Sequence, residues 1–227
     1  MPNPFNPFTS DDSSIASYNI SMESQARLLT LADVEPAAQV IAQAFMDDPL
    51  IAFVLPRRKS RLKALLAFFR VYGEISIRNG RGYGVGEPLQ GVAYWKSPSQ
   101  GNISLPLKSL KIFIPLLFTT YPVGYFRAKP AFRQLDALHA KHAQEQHYYL
   151  DNIGVLAEAR TQGLASRLIQ PVLEKVDAEG AAAYTDTFTQ ANVPVYEHFG
   201  FECVEESPVE GTGLTIWALK REPNGNR

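Results

Sequence analysis

The alternation of apolar and polar residues predicts a series of strands and helices that is most regular in the last third of the chain. Residues 147–156 (HYYLDNIGVL) and 181–188 (AAAYTDTF) are short apolar runs of the length expected for buried strands. Between them, residues 162–180 (QGLASRLIQPVLEKVDAEG) repeat apolar positions at helical spacing and end at a glycine. A strand, a helix and a strand at this spacing predict a parallel pair of strands joined by a right-handed crossover.

The remaining pattern extends this unit on both sides. Upstream, it predicts a strand, two helices and a hairpin at Gln25–Leu31, 32–45, Arg61–Ile77, Tyr83–Val85 and Gly91–Lys96. Downstream, it predicts a short helix over 191–200 and strands over 201–206 and 213–221. Residues 97–146 break the α/β order with apolar helices punctuated by proline, followed by a polar helix over 131–146. We interpret this section as a helical insertion that covers the core.

The fold class that follows is α/β, with a mixed and twisted sheet flanked by helices on both faces. We expect a single domain over residues 25–221, in which the helical insertion precedes the central strand. Residues 1–24 and 222–227 are predicted to be terminal tails, because they are rich in polar residues, proline or glycine. A chain of 227 residues is long enough to bury a substantial core without disulfides.

Composition narrows the possible partners and the compartment. The chain has 22 Lys and Arg against 23 Asp and Glu, so we expect neither nucleic acid nor a membrane as a partner. Its single cysteine, Cys203, rules out an internal disulfide and favours a reducing, cytoplasmic location, and we expect this side chain in the core. No signal peptide is apparent at the start. The most apolar segment, Ile103–Phe118, is too short for a membrane span once its two lysines and two prolines are counted.

The stretch RTQGLASRL, from Arg160 to Leu168, has the composition of an anion site at the start of a helix. The first N–H groups of a helix lack partners within the helix, and the helix dipole makes that end electropositive. Gly163 would let a ligand approach the backbone, and Ala165 would keep the next turn slim. Small residues also suit any turn from strand to helix, so this stretch alone leaves both interpretations open. It is neither a P-loop nor a GxGxxG motif.

A second pattern follows about one crossover later, where Asn192 precedes the segment YEHFGF, Tyr196 to Phe201. A tyrosine one turn before a glycine and an aromatic residue can pack in the core or present its hydroxyl to a cleft. Taken singly, this pattern favours core packing.

Together the two patterns resemble the acetyl-CoA motifs of the GNAT superfamily of N-acetyltransferases. RTQGLA matches the family's Q/R-x-x-G-x-G/A signature, with Arg160, Gly163 and Ala165 at its three defining places. NVPVYEHFGF matches the later motif, in which an asparagine precedes a tyrosine that lies four residues before Gly-Phe. The resemblance is specific over about His147–Lys220 and weaker over Gln25–Lys96.

The resemblance implies acetyl transfer from acetyl-CoA, as cosubstrate, to an amine of a small molecule by direct attack, with no metal. It implies that coenzyme-binding residues lie at the start of the crossover helix: Arg160, Thr161, Gln162, Gly163, Leu164, Ala165 and Ser166. Ile153 and Val155 would offer backbone groups from a splayed strand, and Asn192 would contact the coenzyme arm. Tyr196 would be the acid that protonates the departing thiolate.

The attacking amine must be neutral, so a base or a water relay is expected. Asp151 and Asp186 are the candidates, because they lie on the two strands that should splay apart at the site, and Glu74 is a more distant third. Each of them can equally be a solvent-facing or hydrogen-bonded carboxylate of purely structural use.

The aromatic and aliphatic content of the insertion and of Arg61–Ile77 indicates that these two elements wall the acceptor site. A small acceptor with apolar parts would fit there, although a peptide amine stays open. Two other functions use the same scaffold: a non-catalytic acyl-CoA-binding or sensing module, and an O-acetyltransferase. We expect a monomer or a homodimer.

The histidines His139, His142 and His147 can suggest a metal site, since the first two are three residues apart on a predicted helix. No cysteine or carboxylate completes such a site in the sequence pattern. We therefore expect a solvated helix face at these positions.

Overall fold

The computed structural model of the chain describes residues 25–98 and 122–223. Within these ranges the chain forms seven strands and six α-helices. The strands are β1 (Arg27–Leu28), β2 (Gly82–Val85), β3 (Gly91–Lys96), β4 (His147–Val155), β5 (Ala182–Thr187), β6 (Glu202–Val209) and β7 (Leu214–Arg221). The helices are α1 (Val34–Ala44), α2 (Pro49–Val54), α3 (Arg58–Arg78), α4 (Pro122–His142), α5 (Leu164–Ala178) and α6 (Val193–His198).

The seven strands form one mixed sheet in the order β1-β2-β3-β4-β5-β7-β6. Strands β4 and β5 are parallel, and α5 joins them as the predicted crossover. Every other pair of neighbours in the described sheet is antiparallel, including the predicted β2–β3 hairpin. The predicted α/β fold with helices on both faces is confirmed.

Alternating residues of β3 show how the two faces are covered, because successive side chains of a strand point to opposite sides. Val92 and Tyr94 pack in a cluster with α1 and α3. Ala93 and Trp95 pack in a second cluster with the buried stripe of α5. The sheet is therefore sandwiched between α1 and α3 on one side and α5 on the other.

Helix α4 covers a third cluster near the β5–β7 half of the sheet. Its Ala131 and Leu138 are buried with Tyr184 and Ile216. The polar helix predicted at 131–146 is thus the last part of a longer helix, Pro122–His142. The apolar helices predicted before it, including Ile103–Phe118, fall largely or wholly outside the described residues, as do both predicted tails except residues 222 and 223. Among the residues that the structure describes, no helix is long and apolar enough to cross a membrane.

Two sequence expectations about side chains are wrong. Cys203 is exposed rather than in the core, because β6 is an edge strand with β7 as its only neighbour in the described sheet. The three histidines do not form a solvated helix face. His139 and His147 bring their Nε2 atoms to 2.8 Å, and His142 Nε2 lies 2.5 Å from a carboxylate oxygen of Glu205, because this part of α4 faces the sheet.

Strand β4 positions the site through two irregularities. It pairs with β5 only over His147–Leu150 but continues along β3 as far as Val155, so its other edge is open beyond residue 150. Tyr94 pairs with Asn152 and Trp95 with Leu150, which makes Asp151 the extra residue of a β-bulge. Bulges redirect side chains and are frequent beside active sites.

Candidate active site

A cleft of about 460 Å³ opens where β4 and β5 separate, and we call it the strand cleft. Three groups of predicted site residues line it: Ile153 and Val155 on β4, Arg160 and Ala165 around the start of α5, and Asn192 and Tyr196 beside or on α6. The sequence placed these residues in one site, and the fold brings them together around one cavity.

The start of α5 has the geometry of an anion site. Gly163 precedes the first helical residue with φ +73°, and a side chain added there would meet no atom within 4 Å. The space before the first turn is therefore open to a ligand. The 15-residue helix directs its unpaired N–H groups and the positive end of its dipole toward that space. A pyrophosphate fits such an opening.

The other signature residues lie beside the cleft rather than in its lining. Thr161 and Gln162 are exposed, and Thr161 has a φ of 67°, which is unusual for a residue with a side chain. Leu164 is buried in the α5 cluster, so it can offer a ligand only its backbone. Ser166 is half-buried in the first turn of the helix.

A second cavity, of about 340 Å³, lies against the same strands, and we call it the aromatic cavity. Its apolar wall comes from α1 to α3 and from α4: Phe45, Phe68, Phe69, Tyr72, Phe132 and Leu135. Its polar lining includes Lys96, Tyr149, Asp151, Thr185 and Asp186. Ile153, Asn192 and Tyr196 line both cavities, so the two meet at these residues.

Tyr196 combines the two roles that the sequence left open. Its ring packs against Phe201 with 6.0 Å between centroids, and the residue is only 6% exposed. The residue nevertheless lines both cavities, and its hydroxyl group bonds with Thr185, which lines the aromatic cavity. Burial, with the charge of Asp186 adding to it, raises the pKa of Tyr196, and a hydrogen bond with Thr185 opposes this. The phenol is therefore protonated at neutral pH.

Asp186 is held by a hydrogen bond within the aromatic cavity. The hydroxyl of Tyr149 donates to its Oδ2 at 3.0 Å. Burial raises the pKa of Asp186 to about 6, although this bond and the charge of Lys96 favour the carboxylate. Asp186 is therefore ionised at neutral pH, yet its proton affinity is higher than that of an exposed aspartate.

Asp151, the second candidate base, is engaged by a cation. Nζ of Lys96 lies 2.9 Å from its Oδ2, at an angle outside hydrogen-bond geometry. The same ammonium lies 4.9 Å from the centroid of the Tyr149 ring. Burial, with the charge of Asp186, raises the pKa of Asp151, and burial lowers the pKa of Lys96. An ammonium so close favours the carboxylate form and opposes that rise.

Asn192 and Glu74 differ in how they relate to the site. Asn192 donates from Nδ2 to Oγ1 of Thr187 at 3.1 Å, which fixes its amide between the two cavities. Glu74 is bonded to Arg78 on the exposed side of α3 and lines neither described cavity. The structure therefore places this third candidate base away from the site.

Three residues of the lining escape sequence reasoning: Asp48, Lys96 and Tyr149. Asp48 accepts a hydrogen bond from the N–H of Ile51 at 3.0 Å and caps the short helix α2. Its signal is the Asp-Pro pair, which places a capping side chain directly before a proline at the first helical position. Lys96 and Tyr149 give no such local signal, because they meet only through the register of β3 and β4.

Comparison with known proteins is consistent with this geometry. Residues 95–201 match the model of the acetyltransferase (GNAT) family. An uncharacterized N-acetyltransferase of Schizosaccharomyces pombe is 25% identical over 197 residues, which cover 78% of this chain and 73% of the relative.

Two solved structures share the fold. One is a histone acetyltransferase HPA2 and related acetyltransferase from Corynebacterium glutamicum, with a TM-score of 0.58, 18% identity and coverage of 88% of this chain and 96% of that one. The other is arylalkylamine N-acetyltransferase 2 from Aedes aegypti, with a TM-score of 0.57, 14% identity and coverage of 88% and 99%. The resemblance drawn from RTQGLA and NVPVYEHFGF is confirmed: residues 95–201 match the GNAT family of acetyltransferases, and the fold is the one its solved members share.

Proposed function

We propose that this protein transfers the acetyl group of acetyl-CoA to the amine of a small molecule with an apolar body. The observation that carries the proposal is the junction of the two cavities. Ile153, Asn192 and Tyr196 line both the strand cleft and the aromatic cavity. A donor in one cavity and an acceptor in the other would therefore meet beside a phenol.

The strand cleft suits the donor. The open N-terminus of α5 would hold the pyrophosphate through backbone N–H groups, with Arg160 adding a positive charge. The unpaired edge of β4 beyond Leu150 would take the extended pantetheine arm as an additional strand. Backbone groups near Ile153 and Val155 would face the thioester.

The aromatic cavity suits the acceptor. Its wall of aromatic side chains offers an apolar surface, and its polar end holds Asp186, which is ionised at neutral pH. A primary amine on an apolar body matches both parts of the cavity, because its ammonium group suits Asp186 and its body suits the aromatic wall. The related structure from Aedes aegypti is named for arylalkylamines, a class with this construction. We do not extend the proposal to a peptide acceptor, since the cavity measures only about 340 Å³.

The chemistry needs four events, and the residues present can supply them. Asp186 would accept the proton that the ammonium loses, which leaves a neutral amine. The amine nitrogen would form a bond to the thioester carbonyl carbon, and backbone N–H donors would stabilise the negative charge on its oxygen. The carbon–sulfur bond would then break, and Tyr196 would give its proton to the departing thiolate. The nitrogen would lose its remaining extra proton to the Tyr196 phenolate, which leaves a neutral amide, the coenzyme thiol and a restored phenol.

A thiol-release assay with acetyl-CoA and a panel of primary amines tests this proposal. We expect Tyr196→Phe to lower kcat by roughly 10²–10⁴-fold, the usual range for a general acid, with little change in acetyl-CoA affinity. Tyr148→Phe is the matched control, because its hydroxyl bonds Glu179 and lies outside both cavity linings. Hydroxyl counterparts of the best amines distinguish O-acetylation. Tight coenzyme binding without thiol release from any amine would instead identify a non-catalytic acyl-CoA-binding module.

A further inference from the structure

Lys96 gives the aromatic cavity a cation of its own. It is the last residue of β3, and its Nζ lies between the carboxylate of Asp151 and the face of the Tyr149 ring, at 2.9 and 4.9 Å. A carboxylate and an aromatic face both attract an ammonium group. The side chain therefore places the protein's own ammonium between these two groups.

The cavity contains the elements of two ammonium sites, and their carboxylates influence each other. The negative charge of Asp186 contributes to the raised pKa of Asp151, which shows that the two groups are close. Lys96 in turn interacts favourably with Asp186. One site is thus occupied by Lys96, and the other is at Asp186, whose charge acts on Tyr196 at the junction of the two cavities.

The third carboxylate of the lining, Asp48, has one of its oxygens engaged by the backbone. Its Oδ1 accepts the N–H of Ile51 at 3.0 Å at the start of α2. Among the described residues, the rest of the lining is uncharged: it is aromatic or aliphatic, or carries the amide or hydroxyl groups of Asn152, Thr185, Thr187 and Asn192. Burying a cation without a partner is strongly unfavourable.

We propose that Lys96 restricts the acceptor to monoamines, because it occupies the position that the second ammonium of a diamine would need. This inference rests on the proposed function and names its substrate class. A monoamine places its nitrogen at Asp186 and its apolar body against the aromatic wall. A diamine brings a second charge toward a site already held by Lys96, where like charges repel, or toward the aromatic and aliphatic side chains of the described wall.

The test compares hexylamine with hexamethylenediamine, which have the same chain length and differ by one amine. Lys96→Met removes the charge and keeps the length and apolar character of the stem, whereas Lys96→Arg keeps a cation. For each protein, kcat/KM is measured by thiol release and the dissociation constant of each amine by calorimetry. Thermal unfolding confirms that the variants are folded, and Lys96→Gln replaces the methionine variant if that variant is not.

We expect the wild-type protein to prefer hexylamine and Lys96→Met to lower this preference by about tenfold, mainly through better use of the diamine. Lys96→Arg should keep the preference. An unchanged ratio in Lys96→Met, or a wild-type preference for the diamine, overturns the inference. Failure of the proposed function gives a different result: no amine then causes thiol release. Calorimetry would still measure the ratio of the dissociation constants of hexylamine and hexamethylenediamine.

Discussion

Replacing Asp186 by asparagine should stabilise the fold at neutral pH and remove most of the activity. The buried carboxylate has a pKa of about 6, compared with an ordinary value of 3.8. The folded state therefore binds the proton more tightly than the unfolded state, so stability is lost as pH rises through this interval. The difference corresponds to about 3 kcal/mol above roughly pH 7. Asparagine carries no charge, and its oxygen can still accept the hydrogen bond from Tyr149.

Urea unfolding of both proteins across a pH series measures this effect. The advantage of Asp186→Asn should be about 3 kcal/mol near pH 8 and should disappear below about pH 3, where the wild-type carboxyl is largely protonated in both states. In the thiol-release assay, kcat should fall roughly 10²–10⁴-fold, as expected for loss of a general base. Asp136→Asn, an exposed aspartate of α4, controls for a general charge effect. An asparagine variant that is less stable near pH 8, or whose advantage does not depend on pH, would refute this reasoning.

Three further predictions follow from the coenzyme site, the cavity wall and the core. Gly163→Ala and Gly180→Ala both place a side chain at positive φ in open space. Each should therefore lower the free energy of unfolding in urea by about 1 kcal/mol. Only Gly163→Ala should also raise the KM for acetyl-CoA. An equal KM in both would contradict the anion site. Phe132→Ala should raise the KM for the acceptor with little loss of stability. Phe126→Ala, at an exposed position of the same helix outside the cavity lining, should leave that KM unchanged. Equal effects of the two variants would contradict the assignment of Phe132 to the wall of the acceptor cavity. Leu168→Ala, at a fully buried position of α5, should cost about 2–5 kcal/mol by urea unfolding, and a smaller loss would mean that the site collapses around the gap.

The crossover unit could be predicted from the sequence because its signal is local and periodic. The buried residues of α5 recur at helical spacing, and the helix begins directly after the predicted turn at Gly163. The first strand shows the opposite case. A strand was predicted over Gln25–Leu31, but only Arg27 and Leu28 pair with β2, since strand length depends on a partner that lies more than 50 residues away. The six-residue helix α2 was missed because it is too short to show a periodic pattern.

The donor half of the candidate site follows from the same local rules. A glycine before a helix and a tyrosine in a short helix are motifs whose function depends on their own backbone. The acceptor half combines side chains from α2, α3, α4, α6 and three strands, and no spacing within one element encodes it. The sequence predicted that the helix Arg61–Ile77 and the insertion contribute walls, and Phe68, Tyr72 and Phe132 do line the cavity. The sequence could not predict which polar side chains of the cavity lie opposite these walls.

The two candidate bases were equivalent in the sequence, and one irregularity of β4 separates them. Asp151 is the extra residue of the bulge opposite Tyr94 and Trp95, next to the end of β3, and this position brings Lys96 to 2.9 Å from its carboxylate. Asp186 lies on the regular strand β5, accepts a hydrogen bond from the neutral hydroxyl of Tyr149 and is influenced by Lys96 only through its charge. Burial raises the pKa of both carboxylates, but the ammonium 2.9 Å from Asp151 opposes that rise and shields its oxygen from an acceptor. The bulge therefore makes Asp151 the partner of a fixed cation, which is why the proposed mechanism assigns the proton of the acceptor to Asp186.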